Sequence, residues 1–203
     1  NPSAGLMLWC SDCGANGELN VFNGSAFTAI DGSAAAAVFS STQIGGDIDG
    51  EAAGDYSGTS VSLSSDGTIV AIGAVGNDGN GPSSGHVRVY QNISGTWTQL
   101  GGDIDGEAES DQSGISVSLS SDGTIVAIGA DGNDGNDPSS GHVRVYQNIS
   151  GTWTQLGGDI DGEAAGDYSG TSVSLSSDGT IVAIGAVGND GNGTSSGHVR
   201  IYN

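Results

Sequence analysis

The sequence predicts an all-β protein assembled from repeated antiparallel units, and three observations carry that expectation. A unit of 56 residues recurs with little change: 49 of 56 positions are identical between 44–99 and 100–155, and 44 of 48 between 44–91 and 156–203. Within a unit the apolar residues are β-branched. They either alternate with polar ones or form short continuous runs, the two patterns of half-buried and doubly covered strands. Tight-turn pairs, Asp-Gly and Ser-Gly, stand between the runs.

Taken in order, the first unit reads as four strands. Ser60-Val61-Ser62-Leu63-Ser64 alternates strictly. Asp66-Gly67 turns the chain into Thr68-Ile69-Val70-Ala71-Ile72, apolar enough to be covered on both faces. A long polar loop, Gly76 to Gly85, leads to the alternating His86-Val87-Arg88-Val89-Tyr90. Ser94-Gly95 then turns into Thr96-Trp97-Thr98-Gln99-Leu100, and a second long loop runs from Asp103 to Gly114. Four antiparallel strands in a unit of this length make one blade of a β-propeller. The fold class is therefore a β-propeller-like array of four-stranded antiparallel blades with an N-terminal β-element. The units are 44–99, 100–155 and 156–203, preceded by residues 1–43. In such a meander the 2–3 loop and the blade-to-blade loop lie at the same end. Those loops hold nearly all the acids of the repeats, so one face is expected to be strongly acidic.

Residues 1–43 read either as a separate β-element or as a worn blade. In the second reading Leu6–Trp9, Gly17–Phe22 and Phe27–Ile30 stand for strands 2, 3 and 4. Thr42-Gln43-Ile44 matches Thr98-Gln99-Leu100, so the repeats begin with an outer strand and end at Tyr202 after a third. The segment 42–48 is then expected to complete the open blade of a neighbouring molecule, since an unpaired edge strand attracts partners.

Composition limits the partners. Net charge is −21, lysine is absent, and Arg88, Arg144 and Arg200 are the cations. Such a surface repels phosphate backbones and anionic lipid heads, so no nucleic acid and no membrane insertion are expected. No stretch is long and apolar enough to span a bilayer. The chain opens at Asn1-Pro2 rather than methionine, which reads as a processed or trimmed product. Three copies of every residue argue against one active site, so the chain is expected not to be an enzyme.

Several residues are candidates for chemistry. His86, His142 and His198 occupy one repeat position, each two residues before an arginine. They read as a metal or acid–base site, or as a polar ladder between blades whose arginines pair with loop carboxylates. The serines are set aside as turn and strand-face residues, and a nucleophile elbow of the Gly-x-Ser-x-Gly type is expected to be absent. For calcium the candidate is the acidic segment Asp47-Ile48-Asp49-Gly50-Glu51 with Asp55 and its repeats, above all Asp47, Asp49, Asp103, Asp105, Asp159 and Asp161, because carboxylates clustered around a glycine turn can supply the oxygens that ion needs. The alternative is that Asp-Gly simply turns the chain. Asn77-Asp78-Gly79-Asn80 is a further candidate on the same terms. Cys10 and Cys13 can be a zinc half-site, a redox pair or a disulfide, and a local disulfide in an oxidising compartment is preferred. Asn23, Asn92, Asn148 and Asn192 begin glycosylation-type triplets, read here as turn chemistry.

The run Ser57-Gly58-Thr59-Ser60-Val61-Ser62-Leu63, Asp66-Gly67, Ile69-Val70-Ala71-Ile72-Gly73-Ala74 and Gly85-His86-Val87-Arg88-Val89-Tyr90 resembles the FG-GAP repeat of integrin-α-like β-propellers. Ile72-Gly73-Ala74 stands where that family has Gly-Ala-Pro, and Ser57-Gly58 where it has Phe-Gly. The family's calcium loop between strands 1 and 2 is here reduced to Ser64-Ser65-Asp66-Gly67, too short to wrap an ion. The whole chain also resembles secreted surface repeat proteins of marine Bacteroidota, through Trp9-Cys10-x-x-Cys13-Gly14 and Gly17-Glu18-Leu19-x-Val21-Phe22-Asn23-Gly24. That likeness implies an extracellular or cell-surface setting and no known activity. The expected function is a secreted structural or adhesive protein that forms a homo-oligomer or homopolymer by strand completion. The alternative is a calcium-assisted propeller module that binds a glycan or protein through its acidic face.

Overall fold

A computed structural model describes residues 41–203, together with the backbone of three short strands before them. The chain divides into two compact units, Asn1–Gln43 and Ile44–Asn203. In the first, β1 (Leu8–Trp9), β2 (Asn20–Phe22) and β3 (Phe27–Ala29) form an antiparallel sheet in the order β1-β2-β3. Cys10 and Cys13 lie outside the described residues, so the expected disulfide does too.

The second unit is built of antiparallel blades. The first is β4 (Ser57–Leu63), β5 (Ile69–Ala74), β6 (His86–Ile93) and β7 (Thr96–Gln99), paired in that order. A short β8 (Ile104–Asp105) pairs with the start of β6, Ile104 opposite Val87 and Asp105 opposite His86. The outer edge of the blade is thus one strand interrupted at Leu100–Asp103. The sequence pattern does not resolve β8, because two residues are too few to show a period. The second blade repeats the plan with β9 (Ser116–Leu119), β10 (Ile125–Ala130), β11 (His142–Ile149), β12 (Thr152–Gln155) and β13 (Ile160–Asp161). The third holds β14 (Ser169–Leu175), β15 (Val182–Ala186) and β16 (His198–Tyr202), and β16 has no outer partner strand among the described residues.

The second strand of each blade is covered on both faces, which is why Ile69–Ala74 and Ile125–Ala130 are almost continuously apolar. One core joins the first two blades: Ile69, Ala71, Val87 and Val89 meet Val117, Leu119, Val126 and Ile128. The next joins Ala127 and Val143 to Val182 and Ile184. Between blades the strand serines also hold the stack. Ser60 Oγ donates to the Gly114 carbonyl (2.7 Å) and Ser116 Oγ to that of Gly170 (2.6 Å). Ser62 Oγ and Ser118 Oγ accept from the Leu119 and Leu175 amides, both at 2.9 Å. Glycine is required where the blades touch most closely. A Cβ on Gly73 would lie 2.1 Å from the Gly114 carbonyl oxygen, and one on Gly129 2.0 Å from that of Gly170.

The two long loops do share one end of the blades. The segment ending at Gly85 runs beside the segment ending at Ser113 as a parallel bridge. The Ser110, Gln112 and Ser113 amides donate to the Pro82, Ser83 and Ser84 carbonyls at 2.9–3.1 Å. The same contacts return at Pro138–Ser140 with Gly166–Ser169. No helix among the described residues is long and apolar enough to cross a membrane.

Candidate functional site

Two features recur at the acidic end and the outer edge of the blades. The first is a charged cluster. Alternation along β6 places His86, Arg88 and Tyr90 on one face, where the Arg88 guanidinium lies 5.6 Å from the Tyr90 ring centroid. Arg88 donates to the Asp49 carbonyl (2.8 Å) and lies 3.4 Å from Glu51. His86 Nδ1 stands 3.9 Å from the same carboxylate. Arg144 with Asp105 and Glu107, and Arg200 with Asp161 and Glu163, repeat the arrangement. Burial, together with the Arg144 charge, holds the His142 imidazole below its ordinary pKa, so it is neutral at pH 7.

The structure separates the six expected calcium residues. Asp103 joins Glu51 and His86, and Asp159 joins Glu107 and His142, with one ligand atom from each residue within 4.8 Å of the others. Asp47, Asp49, Asp105 and Asp161 belong to no such group among the described residues. Asp49, Asp105 and Asp161 instead offer backbone carbonyls to the arginines. Glu51 and the histidines were each singled out in the sequence, but not their meeting, because they come from a loop and a strand roughly 35 residues apart in sequence. One imidazole and two carboxylates supply fewer protein oxygens than the six to eight that calcium takes, so water would complete its shell. Such a mixed set suits a borderline divalent ion such as zinc better.

The Asn77–Asn80 loop spends its polar atoms on protein partners, with Asn80 Nδ2 donating to the Gly106 carbonyl. Asn77 Nδ2 donates to Asp55 and its Oδ1 accepts from the Gly79 amide, while Asp78 accepts from the Ser83 amide. The strand 1–2 turn is likewise closed without an ion. Asp66 Oδ1 accepts from the Ser64 hydroxyl, the Thr68 amide and the Thr68 hydroxyl, at 2.7, 3.0 and 2.8 Å. Asn92 and Asn148 each accept from the glycine amide of their turn, which is the turn chemistry expected of them.

Two of the serines set aside do stand in Gly-x-Ser-x-Gly spacing, at Gly81–Gly85 and Gly193–Gly197. Ser83 and Ser195 have φ of 53° and 49°, but Ser139 has φ of 50° where Asp137 replaces the first glycine. The left-handed conformation therefore belongs to the loop between two strands. A hydrolase elbow needs a strand-to-helix turn.

The second feature is a tryptophan seat. Trp97 Nε1 donates to the Ile44 carbonyl (2.9 Å) and Trp153 Nε1 to that of Leu100 (2.8 Å). Each indole lies against the following glycine, so that a Cβ on Gly45 or Gly101 would stand 3.0 or 2.9 Å from the indole Cδ1. In the third blade the corresponding Leu156 and Gly157 line an open groove of about 420 Å³ with Val145, Ile160, Val182 and Tyr202. Nothing lies within 4 Å of a Cβ on Gly157.

Fold and repeated site together define an all-β repeat protein of propeller-type blades. Residues 48–90 and 160–202 match the FG-GAP repeat. Among solved structures the chain is similar to a hydrazine synthase of Kuenenia stuttgartiensis at 13% identity and TM-score 0.43, covering 72% of this chain and 33% of that one. It is also similar to a periplasmic gluconolactonase of Pseudomonas aeruginosa at 17% identity and TM-score 0.43, covering 86% and 44%. The chain thus spans less than half the length of either. No curated protein matches it. The expectation that the chain is no enzyme does not hold, since both of these solved structures are enzymes. Repetition of residues does not exclude catalysis, and neither likeness assigns an activity to this chain.

Proposed function

We propose that the protein is an extracellular structural or adhesive module, akin to the surface repeat proteins of marine Bacteroidota, that associates with copies of itself blade to blade. One observation carries this reading: the two open faces of the second unit are the two halves of its internal interface. Leu119 is 7% exposed, and its equivalent Leu63 is 60% exposed. Val143 is fully buried, and its equivalent Val199 is 66% exposed. Val61 and Ile201 are exposed beside them. Because the repeats are nearly identical, the Val61–Leu63 face of one copy fits the Val199–Ile201 face of another as blade fits blade within the chain. Edge pairing would follow the internal register, with Ile48 opposite Val199 and Asp49 opposite His198, as Ile104 and Asp105 lie opposite Val87 and His86. Such a head-to-tail contact is heterologous and forms a ring or a filament.

Light scattering across concentration, with electron microscopy, tests this. Mass growing with concentration, and abolished by Leu63→Asp, is the expected result. A monomer at every concentration overturns it. A second reading rests on the Glu–His–Asp clusters: a bound divalent ion helps the acidic face hold a glycan or protein. A rise in melting temperature with zinc or calcium, lost in His142→Asn, is its expected signature, and no rise with either ion removes it.

A further inference from the structure

We propose that the pocket between the first two blades, at their loop end, binds one ring of a neutral glycan without a metal ion. The proposal deepens the glycan-binding reading, on which it rests, by naming the sugar class and a site that shares no residue with the Glu–His–Asp clusters. The pocket has a volume of about 330 Å³ and is lined by Tyr56, Val75, Gly76, Ser83, Ser110 and Gln112. That size is near the lower end for small-molecule sites, about 300–1,000 Å³. Both blades that form it carry all their strands. Four of the six lining residues stand at positions where the first two units differ, in a pair identical at 49 of 56 positions. Tyr56 answers to Gln112 and Val75 to Asp131, while Ser110 replaces Gly54. Differences scattered at random over the unit would seldom gather in one pocket. Variable loop residues on a constant scaffold are instead how repeat proteins set a binding face.

The surrounding structure fixes the pocket wall. Tyr56 and Gln112 share one repeat position and a left-handed backbone, with φ of 54° and 56°. For a residue as bulky as tyrosine that conformation is costly, and the surroundings impose it. The preceding Asp55 and Asp111 are buried, and each carboxylate accepts from a backbone amide three residues earlier and from the side-chain amide of Asn77 or Asn133. Tyr56 rests against bare Gly76, where a Cβ would stand 2.8 Å from the ring Cδ2, and the tyrosine is still 72% exposed. The Ser110 and Gln112 backbone amides are spent on the Pro82 and Ser83 carbonyls. No described residue hydrogen-bonds the hydroxyls of Tyr56, Ser83 and Ser110 or the Gln112 carboxamide. The lining thus offers an aromatic surface, a valine, three hydroxyls and one carboxamide, and no charged side chain. A pyranose ring matches it: one face turns C–H groups of partial positive charge toward the π cloud, and its hydroxyls both donate and accept, as serine and a carboxamide do. A net charge of −21 disfavours sulfated and uronic sugars, and a lining without a carboxylate leaves an ammonium group no partner.

The test prints neutral hexose and N-acetylhexosamine oligosaccharides beside sulfated and uronic ones, probes them with the intact chain in EDTA, and follows the strongest neutral binder by titration calorimetry. Saturable one-to-one binding to a neutral glycan is expected, at equal affinity in EDTA and in zinc. Tyr56→Gln installs the residue that the same backbone carries at 112, and Gln112→Tyr installs the one it carries at 56 and 168. Each is expected to weaken binding at least tenfold with an unchanged melting temperature, and Tyr168→Gln to leave affinity as it was. No binding to any neutral glycan in EDTA, capture of charged glycans alone, or affinity that ignores both Tyr56→Gln and Gln112→Tyr overturns the proposal. Binding that appears only with zinc or calcium and is lost in His142→Asn also overturns it while keeping the ion-assisted reading. Binding in EDTA that is lost in Tyr56→Gln, with no melting shift on adding either ion, does the reverse.

Discussion

Leu63 and Leu119 offer a comparison with its own control. Both stand at the same place on the first strand of a blade, in the same local sequence Ser-Val-Ser-Leu-Ser-Ser-Asp-Gly. Leu119 lies in the core between the first two blades, joined by Ile69 and Val126. Leu→Ala at such a site costs about 3 kcal/mol, in the middle of the range for truncated core leucines. In a folding unit of about 160 residues each kcal/mol moves the melting temperature by about 2–4 °C, so Leu119→Ala falls by about 6–12 °C. Leu63 keeps somewhat under half of that burial, and complete burial of a leucine is worth about 1.5–3 kcal/mol. Leu63→Ala is then expected to cost about 1 kcal/mol, or about 2–4 °C, in dilute solution. Scanning calorimetry at low micromolar and at near-millimolar protein reads both. If copies associate through this face, the Leu63→Ala penalty grows with concentration toward that of Leu119→Ala, which itself stays constant. An equally large Leu63→Ala loss at the lowest concentration would falsify the reasoning, because that face would then be covered within a single chain.

Two further expectations come from the carboxylates. The hydroxyl and amide donors of the strand 1–2 turns hold Asp66 and Asp122 below the usual 3.8, and the Ser176 and Thr180 donors bring Asp178 to about 2. A depressed carboxyl stabilises the fold above its unfolded pKa and loses that contribution as pH falls through the folded one. The melting temperature is therefore expected to be flat above about pH 5 and to drop between about pH 4 and 2. The drop is shallower in Asp178→Asn, and an unchanged profile in that variant refutes the assignment. Asp131 behaves in the opposite sense. Burial raises its pKa, against a bond from the Thr171 hydroxyl at 3.3 Å. Its ionised form costs stability at neutral pH, so Asp131→Val is expected to melt higher than the parent at pH 7. That electrostatic gain shrinks as pH falls through the raised pKa and is gone below about 3.8, where the carboxyl is protonated in both the folded and the unfolded chain. A gain independent of pH points to packing instead.

The repeat made the blade plan legible, because each strand shows a strong period and each turn carries Asp-Gly or Ser-Gly. The shared end of the two long loops was legible too, since it follows from the topology of a meander. The clusters were not. Glu51, His86 and Asp103 come from three separate segments, and only strand register brings them together. The carboxylates of Asp49, Asp105 and Asp161 looked like ligands because sequence shows side chains, whereas the arginines use their backbone carbonyls. The variation between repeats also has a spatial reason. Asp131 meets Thr171, 40 positions later, and the equivalent pair one repeat earlier is Val75 and Ile115. Polar meets polar at one junction, and the equivalent positions are both apolar at the other. The aspartate peculiar to the second repeat is therefore one half of a contact with Thr171.

Charge decides how the proposed association responds to salt. Each copy carries −21, and the long acidic loops share one end of every blade. Setting the Val61–Leu63 face of one copy against the Val199–Ile201 face of another brings acidic loops side by side. The arginines do not relieve this, because Arg88, Arg144 and Arg200 are each already engaged by a glutamate of their own chain. The attraction is apolar and the opposition Coulombic. Added salt screens the second over a length that falls from about 30 Å at 0.01 M to about 8 Å at 0.15 M. Mass by light scattering at fixed protein concentration is therefore expected to rise steeply as sodium chloride goes from 10 to about 150 mM, the range over which most of the screening is gained. Sulfate is expected to raise it further at equal ionic strength, since excluded salts strengthen apolar burial. Dissociation on adding salt refutes the apolar interface, because only contacts made by opposite charges weaken in that direction.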